Sequence, residues 1–221
     1  NEEVRFKIMW IFFELGRDKK NSLLDMINEK LIESNKFKYY FYTITGKILP
    51  LILILTAIFV SVSAMLGLMA VTFVNIYINS KERDRIKANG LMYLRRVIKA
   101  SKQIVKINDK NLESFNIKIR ENLKDLKSID RNTIMISFIN MWGGVFEFIS
   151  VLFLLEETAY YKIADSIEKN KDSILSLYKT LGEMEAIISI GSYEEEKKDK
   201  ITRPKFIRET TLEIKNGIHP I

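Results

Sequence analysis

Few side chains in this sequence are equipped for covalent chemistry. There is one histidine, His219, and no cysteine. That removes thiolate metal sites, iron–sulfur clusters, a cysteine nucleophile and any site needing two histidines. Glu156-Glu157 and Glu194-Glu195-Glu196 place carboxylates side by side, as general acid–base work needs, but both runs lie in polar helical stretches and read as solvated faces. Gly46-Lys47 is the single Gly-Lys pair. Phe41 stands where a phosphate loop needs its first glycine and Ile48 where it needs Ser or Thr, so no triphosphate is cradled there. Arg95, Arg96, Lys99 and Lys102 form a basic row suited to phosphates or lipid headgroups. No cofactor or metal site is expected within these residues, and no constellation supports an enzyme complete in the chain.

These residues need elements to hold them. The chain has 221 residues, 47% hydrophobic and 29% charged, and the two classes are segregated into long runs. Three prolines and nine glycines are too little punctuation for many short strands. The expected fold is all-α, a helical bundle with long lever-type helices. A net charge of +7 favours anionic partners such as nucleic acid or acidic lipid.

Over residues 1–47 a helix from Val4 to Leu15 is closed by Gly16, and a second opens at Asn21-Ser22 with Leu23, Leu24, Ile27 and Leu31 at helical spacing, giving a helical hairpin. Residues 81–200 read as a helical core and lever region. Leu91, Leu94, Ile98 and Val105 oppose the basic row, Asn108-Asp109 makes a turn and N-cap, and a helix runs to about Lys127 over Leu112, Phe115, Ile119 and Leu123. A break is expected from Asp130 to Asn132. The apolar run from Thr133 to Leu155, interrupted by Trp142-Gly143-Gly144 and Glu147, is assigned to a protein core. One or two very long helices follow, with Tyr161, Ile167, Ile174, Leu177, Leu181, Met184, Ile187 and Ile188 inward. Over 201–221, Arg203-Pro204 stops the helix, Thr211 to Ile214 has strand composition and Asn216-Gly217 signals a turn.

Residues 48–80 contain no charge between Lys47 and Lys81. As one helix these 33 residues would extend ~50 Å, against a hydrocarbon core about 30 Å thick. One span fits with length to spare, and two halves of about 15 residues reach only ~23 Å each. Ser61, Ser63 and Gly67 mark a place to bend, and lysines and arginines flank both ends, so a hairpin or re-entrant loop with both ends cytoplasmic is expected. Tyr39-Tyr40-Phe41-Tyr42 would form its interfacial belt. The other reading of 48–80 is a core helix or oligomer contact in a cytoplasmic protein.

Three short patterns point further. Leu181, Gly182, Glu183, Met184, Glu185 and Ala186 make an L-G-E-[LM]-[DE]-A run. Arg203, Pro204 and Phe206 make R-P-x-[FL], and Gly217, His219, Pro220 and Ile221 make G-x-H-P-[LI]. In this order and spacing they resemble the end of the helical core of the MutS DNA mismatch-repair ATPase family, where a returning lever helix leads through a short strand into the ATPase domain. With its uncharged segment the chain is similar to membrane-associated bacterial MutS-related proteins. The resemblance implies that ATP and Mg2+ bind in an ATPase domain beyond Ile221, that the helical region couples its motion to DNA or a partner, and that the full-length protein is a homodimer at the cytoplasmic face of the membrane. It covers residues from about Leu175 onward. Phe146-Glu147-Phe148 has the letters of the family's mismatch wedge but lies in a helical run, and no room is left for the inserted clamp domain. A membrane-anchored helical scaffold or oligomerisation protein unrelated to DNA is the alternative.

Overall fold

The computed structural model describes residues 2–16, 34–88, 91–142 and 144–197. Their regular structure is all helical, in the order α1 (Glu2–Gly16), α2 (Lys36–Thr43), a π turn (Ile44–Ile48), α3 (Leu49–Phe59), α4 (Ala64–Ala88) and α5 (Leu91–Val105). A short 3-10 turn (Lys110–Leu112) precedes α6 (Glu113–Asp125), α7 (Lys127–Trp142), α8 (Gly144–Phe153), α9 (Leu155–Lys169) and α10 (Lys171–Glu196). Among the described residues there is no strand. The second helix expected from Asn21, and Arg203, Pro204, Phe206, the strand at Thr211 to Ile214, Gly217, His219 and Pro220, lie outside the described residues.

Two parts can be distinguished by what their helices bury. The first is a hairpin. Asn35 opens it, its side chain accepting from the Lys38 N–H at 2.9 Å, and α2, the π turn and α3 continue as one rod of 24 residues from Lys36 to Phe59. The boundary expected at residue 48 therefore falls inside a continuous helix. Pro50 has no N–H for the turn below it, and its ring crowds the carbonyl there. The chain widens just before it, the Leu49 N–H reaching back to the Ile44 carbonyl. At the tip, the Val60 and Ser61 N–H groups both donate to the Thr56 carbonyl at 2.9 Å, and the Ser61 and Ser63 hydroxyls are 2.7 Å apart. The bend thus falls at the two serines read as a bend in the sequence, and α4 returns antiparallel with Gly67 against Leu53.

The second part is the body. In α5, Leu94, Val97, Ile98 and Ile104 are fully buried and the helix packs on α1, α6 and α7. Helices α7 and α9 pair closely, with the Ser166 hydroxyl donating to that of Ser128 at 3.3 Å. The long C-terminal stretch is two helices, broken at Asn170, and α10 lies along α6 and α1 with Leu177, Leu181 and Met184 buried and Ile188 half-buried. Beyond Ile188 the helix leaves the core, and Ile187, expected inward, is exposed.

Three further expectations are corrected. Asp130 to Asn132 do not break the chain, which instead stops at Leu126 between α6 and α7. The polar residues are accommodated within the helix, Asn132 donating to the Ser128 carbonyl at 2.7 Å and Thr133 to the Ile129 carbonyl at 2.9 Å, which satisfies their side chains without a break. The run from Thr133 to Leu155 is only half core: Ile136 and Ile139 are buried, whereas Val145, Phe146, Phe148 and Ile149 on α8 are exposed. Glu156 and Glu157 are not a solvated face but are buried. Helix α8 begins at Gly144 (φ 55) and ends at Leu154, which holds φ 45 although it is not glycine. A leucine there costs about 1–2 kcal/mol, tolerated because its side chain is completely buried.

Adjacent residues of α10 are expected to respond in opposite ways. Leu181→Asp buries an unpaired charge and should cost about 3 kcal/mol or more. Gly182 has open space where a side chain would begin, with no atom within 4 Å of the position a Cβ would take, so Gly182→Ala should gain about 0.5–1 kcal/mol. Urea unfolding in detergent micelles checks both, and equal midpoints for the two variants would contradict the assigned inner face.

Candidate functional site

Helix α4 is apolar over most of its length, yet Asn75, Asn79 and Glu82 recur at i, i+4 and i+7 and so share one face. That face meets the π turn, the end of α8 and the start of α9. Asn75, fully buried, donates through Nδ2 to the Leu152 carbonyl at 2.8 Å and the Thr45 carbonyl at 3.2 Å. Asn79 Nδ2 donates to Glu157 Oε1 at 2.7 Å. Glu82 is the centre of the seam. Its Oε1 accepts from Lys38 Nζ at 2.6 Å and from the Tyr42 hydroxyl at 2.9 Å, and its Oε2 accepts from the Tyr161 hydroxyl at 2.9 Å. The Lys38 ammonium also donates to the Tyr161 oxygen at 3.1 Å. One carboxylate therefore ties together α2, α4 and α9.

Close backbone packing sets this crossing. A Cβ on Gly46 would come within 2.6 Å of the Phe153 carbonyl oxygen and 2.7 Å of Leu154 Cβ, so only glycine lets the π turn lie on the corner between α8 and α9. The two carboxyls respond oppositely to burial. Burial alone would raise the Glu82 carboxyl, but the Lys38 ammonium and the Tyr42 and Tyr161 hydroxyls outweigh it and hold the group below its ordinary value. Lys38 is correspondingly raised: burial disfavours its charge, and its bonds to Glu82 and Tyr161 more than compensate. Glu157 has weaker help. Burial pushes it up to about 7, opposed by the Asn79 bond and its own backbone N–H, with the charges of Glu156 and Glu82 adding to the rise. Its Oε2 meets no hydrogen-bond partner among the described residues.

The residues singled out from sequence are arranged differently. Leu181 and Met184 point into the body, Gly182 and Glu183 outward. Lys102 is paired with Asp130, which lies toward the start of α7, about 18 Å along that helix from its α8 end. Arg96 and Lys99 line a groove of about 450 Å3 with Ile11, Glu14, Leu15 and Gln103, and Arg95 is half-buried. The basic row thus belongs to the body, away from the hairpin root. Of the aromatic cluster, Tyr42 is buried in the seam while Tyr40 and Phe41 stay exposed. Lys38, Glu82, Asn75, Asn79 and Glu157 do not stand out in the sequence as a site, although polar side chains at i, i+4 and i+7 in an uncharged helix are a visible signal. Among the described residues no three His, Cys, Asp or Glu side chains cluster as metal ligands would. Comparison of the chain with protein families, characterised proteins and solved structures finds no match.

The seam gives two predictions. Glu157 is protonated in the folded chain up to about 7 but loses its proton near 4.5 when unfolded. It therefore removes stability as pH rises from 4.5 to 7, by up to ~1.4 kcal/mol per pH unit. Glu82 acts in the other direction, contributing stability above the ordinary carboxyl range that is lost as pH falls through its depressed folded value. Glu157→Gln should flatten the upper slope, and an unaltered pH profile of unfolding in that variant would contradict the assignment. Gly46→Ala should cost about 1–3 kcal/mol by overpacking, read in the same unfolding assay, and a neutral result would contradict the crossing.

Proposed function

We propose that the chain is the membrane-docked helical core and lever of a MutS-related ATPase, passing motion between a nucleotide-driven domain outside these residues and the DNA or partner that the full-length homodimer holds. The hairpin of α3 and α4 inserts into the bilayer, the seam at its root fixes it to the body, and α10 is the moving rod. ATP and Mg2+ belong to the ATPase domain, and the protein sits at the cytoplasmic face of the membrane.

The observation that carries the membrane part is the exposure of the hairpin. In the most apolar window of the rod from Lys36 to Phe59 only 17% of residues are buried, whereas a core helix of equal apolarity would be mostly covered. Phe59 and Val60 at the tip are 79% and 78% exposed. Charges flank the inserted segment, which begins after Lys47 on the rod and ends before Lys81 on α4. The Lys38–Glu82 and Arg83–Glu147 pairs, at 2.6 and 2.7 Å, place four charged residues from α2, α4 and α8 in one zone. Lys81 lies over the Tyr77 ring at 5.3 Å, as cations and aromatics do at a headgroup boundary. From Ala64 to Ser80 the uncharged length of α4 is ~25 Å, most of the hydrocarbon thickness.

The lever part rests on the motif resemblance and on the form of α10, 26 residues or ~39 Å, anchored at Leu177, Leu181 and Met184 and free of the core toward its end. A rod held at one end turns a small displacement at that end into a larger one at the other.

The intact protein should remain in the membrane pellet after a carbonate wash, and Ile58→Lys with Val60→Lys should release it. Its DNA binding should weaken steeply with salt and fall further with Arg95→Glu and Lys99→Glu. Pelleting without any DNA binding would favour the scaffold alternative, and loss from the pellet by the native sequence would sink the membrane reading.

A further inference from the structure

Resting on that membrane reading, we propose that α8 and the adjoining turn of α7 form a third lipid-contacting element, so that the surface meeting the bilayer is built by three helices and not by the hairpin alone. Helix α8 packs beside α4: Glu147 pairs with Arg83 at 2.7 Å and the Leu152 carbonyl accepts from Asn75 at 2.8 Å. Ser150 is the buried residue of α8, which turns the other side of the helix outward.

That outward side is apolar. Met141 and Val145 are each 74% exposed and Phe148 is 59% exposed, and the exposed Phe138 and Phe146 rings meet edge to face at 5.7 Å. The neighbouring face of α4, with Phe73, Ile76 and Tyr77 exposed, continues it. Within α8 the one charged residue is Glu147, held by Arg83 in the charged zone. The next charges, Glu156 and Glu157, follow the left-handed corner at Leu154 and are turned into the protein.

Lipid fits this face better than a second copy of the chain, since α8 packs against α4 of the hairpin and both helices carry exposed apolar residues. With 10 residues, α8 is ~15 Å long, too short to cross and suited to the boundary of headgroups and acyl chains.

The absence of cysteine allows single labels. Phe148→Cys, Phe59→Cys and Lys118→Cys, each carrying an environment-sensitive fluorophore, would be reconstituted as the full chain in phosphatidylcholine–phosphatidylglycerol vesicles with nitroxide groups at shallow or deep acyl positions. The label at 148 should lose most of its fluorescence to the shallow nitroxide, that at 59 to the deep one, and that at 118, on the exposed side of α6, to neither. Quenching at 59 with none at 148 overturns the third element and leaves the hairpin reading standing. No quenching at either position overturns the hairpin reading itself. Label-to-label coupling between copies at 148, without lipid quenching, assigns the face to a second chain and also overturns the proposal. Should Phe148→Cys fail to fold, Val145→Cys on the same side gives the same outcomes.

Discussion

A helix made almost wholly of Leu, Ile, Val and Phe has no preferred rotation against another like it, or against lipid. Dispersion and hydrophobic contact reward area and not direction. The face of α4 carrying Asn75, Asn79 and Glu82 supplies the direction. Each of these side chains finds a partner, because leaving a buried polar group unmade costs more than making it gains, although Asn75 Oδ1 meets none among the described residues. Glu82 finds three donors from two other helices, Asn79 finds Glu157, and Asn75 finds two carbonyls on separate elements. The net stability from such a buried ion pair is small once desolvation is counted, and its value is positional.

The features around the seam follow from that constraint. The π turn accommodates Pro50 and at the same time presents the Thr45 carbonyl to Asn75. Gly46 permits the contact with the Phe153–Leu154 corner, and the left-handed backbone at Leu154 turns the chain so that α9 can return Glu157 and Tyr161 to α4. Strain at one residue is held in place by buried packing on every side of it. The hairpin beyond the seam needs no such detail, and apart from the serine turn and Gly67 it is a plain apolar rod.

Much of this is legible in the sequence. The all-helical class, the cap at Asp109, the serine bend and the inner stripe of α10 each rest on local rules in which residue type and spacing act over a few positions. The misread positions depend on bonds and packing that residue type alone does not reveal. Asp130, Arg131 and Asn132 resemble a break until Asn132 and Thr133 are seen bonding back to carbonyls of their own helix. Glu156-Glu157 look solvated because acidic pairs usually are, and only the fold of α9 onto α4 reveals Asn79 as the partner of Glu157. The run from Thr133 to Leu155 has one composition but two environments, and composition alone does not divide Ile136 from Phe148. The lock at Glu82 joins residues 38, 42, 82 and 161, separations over which no local pattern extends, although the spacing of Asn75, Asn79 and Glu82 already sets one face of α4 apart.

The Glu82 cluster fixes the angle between an apolar hairpin and the helical body. The most direct measurement is the distance distribution between spin labels at Leu66 on the hairpin and Ser173 on α10, in vesicles, for the native cluster and for Glu82→Ala. A single narrow distribution that broadens when the carboxylate is removed is the expected result. A distribution equally narrow in both would show that apolar packing alone sets the angle and would contradict this role of Glu82.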